Sequence, residues 1–328
     1  MHHINARNVS EALYLAKQAI EVSGQKIMTR NGEALEFTTP VCTTYTRPRE
    51  RVLFYPERDA NPFFHLMEAL WMLDGRNDVK WKKQFNSRME TFSDDGDTFH
   101  AAYGFRWREH FGFDQIKVAI TRLQMFENDR RTVISMWDPI TDCVEQNNGL
   151  DYPCNTQIFF NIRNEDLNMT VINRSNDMIW GAYGANAVHM SVLQEYIAGY
   201  IGCGVGKYYT FTNNLHAYTD TLKTIKNIQP DYDPYLTLDD NGLHYTPLPL
   251  VDDAYSFLDE VALFNRTPIA WNPQDYNNSF LSNTAYFVRK AWDFYKRKNY
   301  ERATETALKI EAKDWKKACV EWLGRHVK

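Results

Sequence analysis

Cys154 follows a proline in the segment Tyr152-Pro153-Cys154, at the start of a predicted strand. A thiol at such a place can lie at the mouth of a cleft, and its thiolate is a nucleophile where a nearby positive charge favours ionisation. Arg174, at the end of the next predicted strand, could supply that charge. From position alone, a packing cysteine and an arginine in a surface ion pair are the commoner outcomes. The two residues are therefore candidates for a nucleophile and its activator.

Glu68 lies in the middle of an apolar run from Phe63 to Leu73. The run is predicted to be a buried helix because it is apolar on nearly every side, and it is too short and too polar to span a bilayer. A buried carboxylate is costly unless it is paired or has a function, and burial raises its pKa toward the range useful for proton transfer. The alternative is a glutamate whose side chain reaches the surface.

Other polar segments are weaker signals. Arg130 and Arg131 open a predicted strand, where neighbouring side chains face opposite ways, so a solvated turn is their usual role. His216 and Tyr218 would face one side of an extended chain, although such a pair is more often part of a core. The histidines lack the HExxH spacing, and the five cysteines are scattered without CxxC spacing. Neither a metal site nor a disulfide framework is therefore predicted.

The predicted secondary structure mixes helices with neighbouring strands. In residue numbers, the order is helix 10–24, extended chain 33–45, helix 61–74, helix 114–128, strand 132–137, strands near 156–163 and 167–174, helix 186–201, strand 207–212, a loop at 229–250 with room for one hairpin, and helices from 253 onward. This order favours an α+β fold over a regular βαβ series. The residues expected to be buried in the helices are Leu13, Ala16, Ile20, Val22, Ile116, Ile120, Leu123, Phe126, Trp292, Phe294, Tyr295, Ala307, Ile310 and Trp315.

The composition excludes several classes of protein. The 328 residues are 44% hydrophobic and carry 37 basic and 42 acidic side chains, for a net charge of −5. Such a chain is not disordered over most of its length and has no basic field for long nucleic acid. The first residues show no signal-peptide pattern, so an intracellular protein with reduced cysteines is expected. Any phosphate would have to be held by a local arginine cluster.

Six segments, taken in chain order, resemble the motifs of thymidylate synthase between about residue 8 and about residue 225. They are His65–Leu73 (the family's "HELLWFL" helix), Tyr103–Arg108 ("YGxxWR"), Asp129–Trp137 ("SRRxxxSxW"), Pro153-Cys154 ("PC"), Arg174–Asp177 with Gly181 ("RSxDxxxG") and Leu215–Tyr218 ("xHxY"). Each motif is weak alone, but six in order are specific. The resemblance implies an α+β, three-layer catalytic core with a mixed sheet over residues 1–225. Residues 226–328 would then be a loop and a helical C-terminal extension packed on that core.

The resemblance also implies the chemistry. Cys154 would add to carbon 6 of a pyrimidine nucleotide, so that carbon 5 becomes nucleophilic toward the methylene group of 5,10-methylenetetrahydrofolate. Glu68 would manage protons through water. Arg174 and Ser175 would hold the 5′-phosphate, and Arg174 would also favour the Cys154 thiolate.

Further site residues follow from the same resemblance. Arg130 and Arg131 would reach the phosphate in the partner subunit, making the enzyme an obligate homodimer, and Arg30 would join them by its spacing. His216 and Tyr218 would bind the ribose 3′-hydroxyl. The remaining roles are base reading for Asn186 and folate binding for Asp177, Gly181, Met89 and Phe92.

Departures from the family pattern change the expected product. The family's histidine after the nucleophile is Asn155 here, its two shielding tryptophans are Met89 and Phe92, and the chain ends at Lys328 without an apolar tail. If water rather than hydride reaches the methylene carbon, the product is a 5-hydroxymethyl nucleotide. The related deoxycytidylate hydroxymethylases carry Asp at the base-reading position, whereas the amide of Asn186 can both accept from and donate to uracil.

The sequence therefore favours a deoxyuridylate (dUMP) 5-hydroxymethylase. The second hypothesis is thymidylate synthesis from dUMP, and the third is hydroxymethylation or methylation of deoxycytidylate. The fourth hypothesis is a non-catalytic homologue that binds nucleotide or RNA. The expected partners are a nucleotide monophosphate, a folate and a second copy of the chain, without a membrane or long nucleic acid. The hydroxymethylase branch is phage-encoded, which implies the host cytoplasm.

Overall fold

The computed structural model describes residues 1–143, 149–230, 233–238, 242, 244–268 and 272–327. The strands in these ranges are β1 (His2–Ala6), β2 (Gln25–Thr29), β3 (Gly32–Glu36), β4 (Val41–Tyr45), β5 (Val133–Ser135), β6 (Asn155–Arg163), β7 (Asp166–Asp177) and β8 (Gly204–Tyr218). They form one mixed sheet in the order β1-β4-β8-β7-β6-β5, with the β2–β3 hairpin attached to the end of β8. β1 is parallel to β4 and β7 is parallel to β8, whereas the other pairs are antiparallel. The predicted α+β fold with a mixed sheet is confirmed.

Helices cover the sheet and extend beyond it. They are α1 (Val9–Ser23), α2 (Pro62–Leu73), α3 (Val79–Lys83), α4 (Tyr103–Arg108), α5 (Gln115–Met125), α6 (Pro139–Asp142), α7 (Asn186–Ile201), α8 (Thr219–Thr224), α9 (Ala254–Arg266), α10 (Tyr286–Lys296), α11 (Tyr300–Ala307) and α12 (Lys313–His326). Shorter helical turns lie at Ser87–Phe92, Met178–Ala185, Pro273–Asp275 and Leu281–Ala285. None of the described helices is long and apolar enough to cross a membrane.

The helix α2 lies at the centre of the helical layers. Asn61 caps it, and all twelve of its residues are buried. It packs against α7, which itself rests on β7 and β8, and its other side meets α9, α10 and α12. A helix that is apolar nearly all round needs such cover on every side. The polar side chain of Glu68 is therefore carried into the interior by a helix that has no solvent-facing side.

The C-terminal helices complete the cover of α2. The Phe63 ring lies 5.4 Å from that of Trp292 and 5.6 Å from that of Trp322. On α9, the Asn265 side chain donates a hydrogen bond of 3.1 Å to the Leu70 carbonyl. Residues after 225 therefore share a core with the helix that carries Glu68.

Several local predictions were wrong. The first helix begins at Val9, not at the predicted residue 10, and Asn8 caps it, because the Asn8 side chain accepts from the backbone of Glu11. Val22 is 90% exposed because it lies off the buried stripe of Leu13, Ala16 and Ile20. Phe126 is 55% exposed because α5 ends at Met125 and the chain turns away.

Other differences concern strands and partial burial. The β2 strand was not predicted, since its mostly exposed residues show no apolar alternation. β8 begins at Gly204, earlier than expected, and runs on to Tyr218. Phe294 and Tyr295 are half-buried, not buried. A bridge between Leu238 and His244 agrees with the expected hairpin, but residues 239–241 and 243 between them lie outside the described residues.

Candidate active site

Three strand ends meet at one edge of the sheet. Cys154 immediately precedes β6, which is antiparallel to β7, and β7 is parallel to β8. The start of β6 therefore lies beside the carboxyl ends of β7 and β8. Asp177 pairs in register with His216, and Ser175 pairs with Asn214. Ligands commonly bind at the carboxyl ends of parallel strands, where several chain segments converge.

Arg174 donates hydrogen bonds to the backbone of the loop that carries Cys154. Its backbone amide donates to the Cys154 carbonyl at 3.0 Å, and its Nε donates to the Pro153 carbonyl at 2.9 Å. Its Nη2 donates to the Tyr152 carbonyl at 3.3 Å. These contacts hold the Arg174 side chain against the backbone around Cys154.

A second arginine reaches the same loop from the β2–β3 turn. Arg30 is exposed, and its Nη2 donates to the Leu150 carbonyl at 3.2 Å. Burial raises the pKa of the Cys154 thiol above its ordinary value, although Arg174 and Arg30 both act to lower it. The expected influence of Arg174 on the thiolate is thus present, but burial outweighs it in the free protein.

Tyr103 is a site residue that sequence analysis did not single out. It begins α4, and its buried hydroxyl lies against the backbone of Cys154 and Asn155, with a pKa that burial raises well above the ordinary value. Such a hydroxyl can donate or accept a proton close to the thiol. The available signal was its place at the head of the Tyr103–Arg108 motif.

Glu68 is buried in a charged cluster. Lys82 Nζ lies 2.5 Å from Glu68 Oε1, and His189 Nε2 lies 3.0 Å from Oε2. Burial acts to raise the pKa of Glu68, but the Lys82 ammonium and the adjacent His189 hold it well below its ordinary value. The sequence predicted a buried carboxylate with a raised pKa. The burial is confirmed and the direction of the shift was wrong, because Lys82 is brought in from α3.

Two amide side chains are linked between the carboxyl end of β7 and the start of α7. Asn186 Nδ2 donates to Asn176 Oδ1 at 3.2 Å at the start of α7. A Cβ at Gly181 would lie 2.2 Å from that Oδ1, so glycine permits the contact. Asp177 accepts from the backbone amides of Ile179 and Trp180, and burial raises its pKa.

His216 and Tyr218 lie on the same face of β8, with their rings 5.3 Å apart. Asn31, from the β2–β3 turn, donates to the Tyr218 hydroxyl at 3.2 Å. That turn therefore supplies both Asn31 and Arg30 to the strand edge. Of the positions expected near folate, Met89 is half-buried against the core and Phe92 is 50% exposed.

Arg130 and Arg131 do not join this site within one chain. Both are exposed, and Arg131 Nε lies 3.2 Å from Asp129. They precede β5, whose Val133 pairs with Phe159, so they lie roughly 15 Å or more along the sheet from Cys154 at about 3.3 Å per residue. Within one chain, Arg130 and Arg131 therefore lie too far from Cys154 to contact a ligand that it holds.

The other four cysteines differ in their exposure to solvent. Cys319 is buried, Cys42 and Cys203 are half-buried, and Cys143 is exposed. Among the described residues, no group of histidine, cysteine and acidic side chains could hold a metal ion.

The chain is similar in sequence to known proteins over most of its length. Residues 18–244 match the sequence model of thymidylate synthase. The chain is 43% identical to the deoxyuridylate hydroxymethyltransferase of Pseudomonas phage M6, over 99% of this chain and 94% of the relative. It is 33% identical to the enzyme of the same name from Bacillus phage SP01, over 75% of this chain and 66% of the relative. It is 32% identical to the thymidylate synthase of Streptococcus suis, over 50% of this chain and 59% of the relative. The chain belongs to the thymidylate synthase family.

Proposed function

We propose that this protein transfers a one-carbon unit from 5,10-methylenetetrahydrofolate to carbon 5 of dUMP and releases 5-hydroxymethyl-dUMP. The observation that carries the proposal is the near full-length similarity to a phage deoxyuridylate hydroxymethyltransferase, which includes the C-terminal helices. Similarity to the Streptococcus suis synthase covers only half of the chain. The packing of α9, α10 and α12 on α2 supports treating residues 226–328 as an extension packed on a core of residues 1–225.

The residues at the start of β6 and at the carboxyl ends of β7 and β8, with Arg30 from the β2–β3 turn, would bind the nucleotide. Arg174 and Arg30 offer guanidinium groups beside Cys154, and planar guanidinium is suited to a phosphate dianion. Ser175 would add a hydroxyl to the same phosphate. His216 and Tyr218 would face the ribose.

The base would lie between Cys154 and Asn186. Because Asn186 Nδ2 already donates one hydrogen to Asn176, its Oδ1 and its second N–H are left for the ring N–H and a carbonyl oxygen of uracil.

Covalent catalysis starts at Cys154. Its thiolate bonds to carbon 6, and the electron pair of the 5,6 double bond makes carbon 5 nucleophilic. Since burial raises the pKa of the thiol, its proton would leave as substrate binds, and the nearby Tyr103 hydroxyl would take part in that transfer. Folate supplies the methylene carbon.

The residues expected to hold folate fit such a ligand. Asp177 Oδ2 is buried and has no hydrogen-bond partner among the described residues, and a pterin ring presents N–H donors. The Trp180 ring is half exposed beside it, with the Arg58 guanidinium 4.2 Å from its centroid. Met89, Phe92 and Gly181 complete the proposed folate side. Met89 and Phe92 are smaller than the tryptophans of the synthases and leave room for water.

The test is product analysis with dUMP and methylenetetrahydrofolate. We expect tritium release from 5-labelled dUMP, a product with the mass of 5-hydroxymethyl-dUMP, and no dihydrofolate. Cys154→Ala should abolish tritium release, whereas Cys143→Ala, at an exposed cysteine, should retain it. Thymidylate with dihydrofolate would establish the synthase reaction instead. Absence of release with both dUMP and dCMP would leave a nucleotide-binding homologue.

We also propose that Arg130 and Arg131 hold the phosphate bound by a partner subunit in a homodimer. Their exposure and their distance from Cys154 of the same chain support this arrangement. A mixture of Cys154→Ala and Arg130→Ala/Arg131→Ala proteins should regain activity that neither has alone, because one site of the mixed dimer is then intact. If the arginines acted within one chain, the mixture would stay inactive.

A further inference from the structure

Two buried polar side chains around Glu68 are not used by the mechanism above. Lys82 is 7% exposed and His189 is 5% exposed, and they approach opposite oxygens of the Glu68 carboxylate. They come from α3 and α7, which are more than a hundred residues apart in sequence. A lysine is almost never buried unless it is paired, so Glu68 and Lys82 depend on each other.

The surroundings of Lys82 fix where its charge lies. The ammonium lies 4.9 Å from the centroid of the Trp71 ring and 4.5 Å from that of Phe99. Cations are attracted to aromatic faces in this range. The Lys82 ammonium therefore forms its ion pair with Glu68 between two aromatic rings.

His189 lies on the same helix as Asn186, the residue proposed to read the base. It lies three residues after Asn186 on α7, and residues at this spacing are neighbours on one helix face. Its Nε2 is close to Glu68 without good hydrogen-bond alignment, and its Nδ1 is buried without a hydrogen-bond partner among the described residues. A buried polar nitrogen without a protein partner is a site for water or substrate.

We propose that Lys82 and His189 are positioning residues, which keep the Glu68 carboxylate ionised and directed so that it takes the proton of the water that becomes the product hydroxyl. The inference rests on the proposed hydroxymethyl transfer. The water oxygen bonds to the methylene carbon attached to carbon 5, and its proton passes to Glu68. The electron pair of the methylene double bond moves to the ring and then expels Cys154 from carbon 6 as thiolate.

Other charged groups near Glu68 do not replace Lys82. His65, on α2 itself, has its pKa lowered to about 3 by burial, with Arg58 and His189 adding to the effect, so it is neutral. Asp151 faces Lys82 from the loop before Cys154, and burial raises its pKa. Arg58 acts on His65 from the loop before α2. Lys82 is thus the permanent positive charge in direct contact with Glu68.

The first test is the pH dependence of hydroxymethyl-dUMP formation in Lys82→Met. Without the ammonium, burial raises the pKa of Glu68, so kcat should fall at least tenfold at pH 7 and recover as the pH rises. The KM for dUMP should change less than threefold. Lys82→Arg should restore the acid side of the profile, and Lys80→Met, at an exposed lysine of the same helix, should match the wild type. His189→Gln should lower kcat and shift the profile in the same direction, but by less than Lys82→Met, because Lys82 has the larger effect on the Glu68 pKa.

A second measurement does not depend on product formation. The melting temperature of Lys82→Met should fall below that of Lys80→Met by an amount that grows from pH 4.5 to pH 8, because only ionised Glu68 lacks its partner. If Lys82→Met does not fold, Lys82→Gln carries the same expectations. A pH profile unchanged in position, or a melting deficit independent of pH, overturns the inference. A wild type that makes no hydroxymethyl product overturns the proposed function instead, while the melting series still reports on Glu68.

Discussion

Replacing Asn186 by aspartate should change the preferred base from uracil to cytosine. The Asn186 amide is held by its hydrogen bond to Asn176 Oδ1, which leaves one acceptor and one donor for the proposed base. Uracil offers a ring N–H and a carbonyl oxygen that match this pair, whereas cytosine offers a ring acceptor and an amino donor. In Asn186→Asp the donor is lost, so the uracil carbonyl meets a carboxylate oxygen.

The magnitude follows from the number of mismatched groups. A buried polar group left without a partner costs about 1–3 kcal/mol. The carboxylate oxygen that replaces Nδ2 faces both the uracil carbonyl and Asn176 Oδ1, so each of these two acceptors loses its donor unless the Asn176 amide turns over. Together they cost about 2–6 kcal/mol, or roughly 30-fold to 20,000-fold in kcat/KM for dUMP at 1.4 kcal/mol per factor of ten.

The assay measures kcat/KM for dUMP and dCMP separately, with the hydroxymethyl product quantified by mass. We expect the dUMP value to fall by at least 30-fold and the dCMP value to rise, so that the ratio reverses. Asn176→Asp is a matched control, since it alters the same hydrogen bond without placing a carboxylate on the base. If Asn186→Asp leaves the dUMP to dCMP ratio unchanged, Asn186 does not read the base and the geometry of residues 181–186 has been misinterpreted.

Three further predictions concern the surrounding framework. Arg174→Gln should slow alkylation of Cys154 by iodoacetamide at fixed pH, read by peptide mass mapping, because loss of the guanidinium raises the pKa of the thiol further and lowers the thiolate fraction. An unchanged rate would show that Arg174 does not act on the thiol. Gly181→Ala should raise the KM for dUMP and cost about 1–3 kcal/mol in urea unfolding, because the new methyl group must displace the Asn176 side chain; an unchanged KM would contradict this. Trp322→Ala should cost about 3–5 kcal/mol in the same unfolding assay, because this buried ring packs on Phe63 of α2, and a cost below 1 kcal/mol would argue against a shared core.

Local sequence patterns predicted the parts of the site that lie on one segment of the chain or on two neighbouring strands. The apolar run from Phe63 to Leu73 predicted the bounds of α2 closely. The proline before Cys154 and the turn between the next two strands placed the thiol and Arg174 as neighbours. These inferences succeeded because strand pairing across a short turn is a local property of the chain.

Contacts between distant segments were not predictable in the same way. Lys82 reads in the sequence as one of several lysines in a polar stretch, and nothing local shows that it pairs with Glu68. The reversed direction of the Glu68 pKa shift follows from that missing contact. Likewise, Asn31 and Arg30 reach the site because β3 pairs with the end of β8, a register that involves residues almost two hundred positions apart.

The sequence by itself determined the family, the α+β class and the order of the chemical residues, because these depend on residue types and on spacing along the chain. The tertiary structure alone decided which charges meet: Lys82 with Glu68, Arg30 with the Cys154 loop, and the exclusion of Arg130 and Arg131 from their own chain's site. The physical reason is that electrostatic interactions depend on distance and burial in space. In a packed chain, the number of residues between two charges says little about the distance between them or about how deeply they are buried.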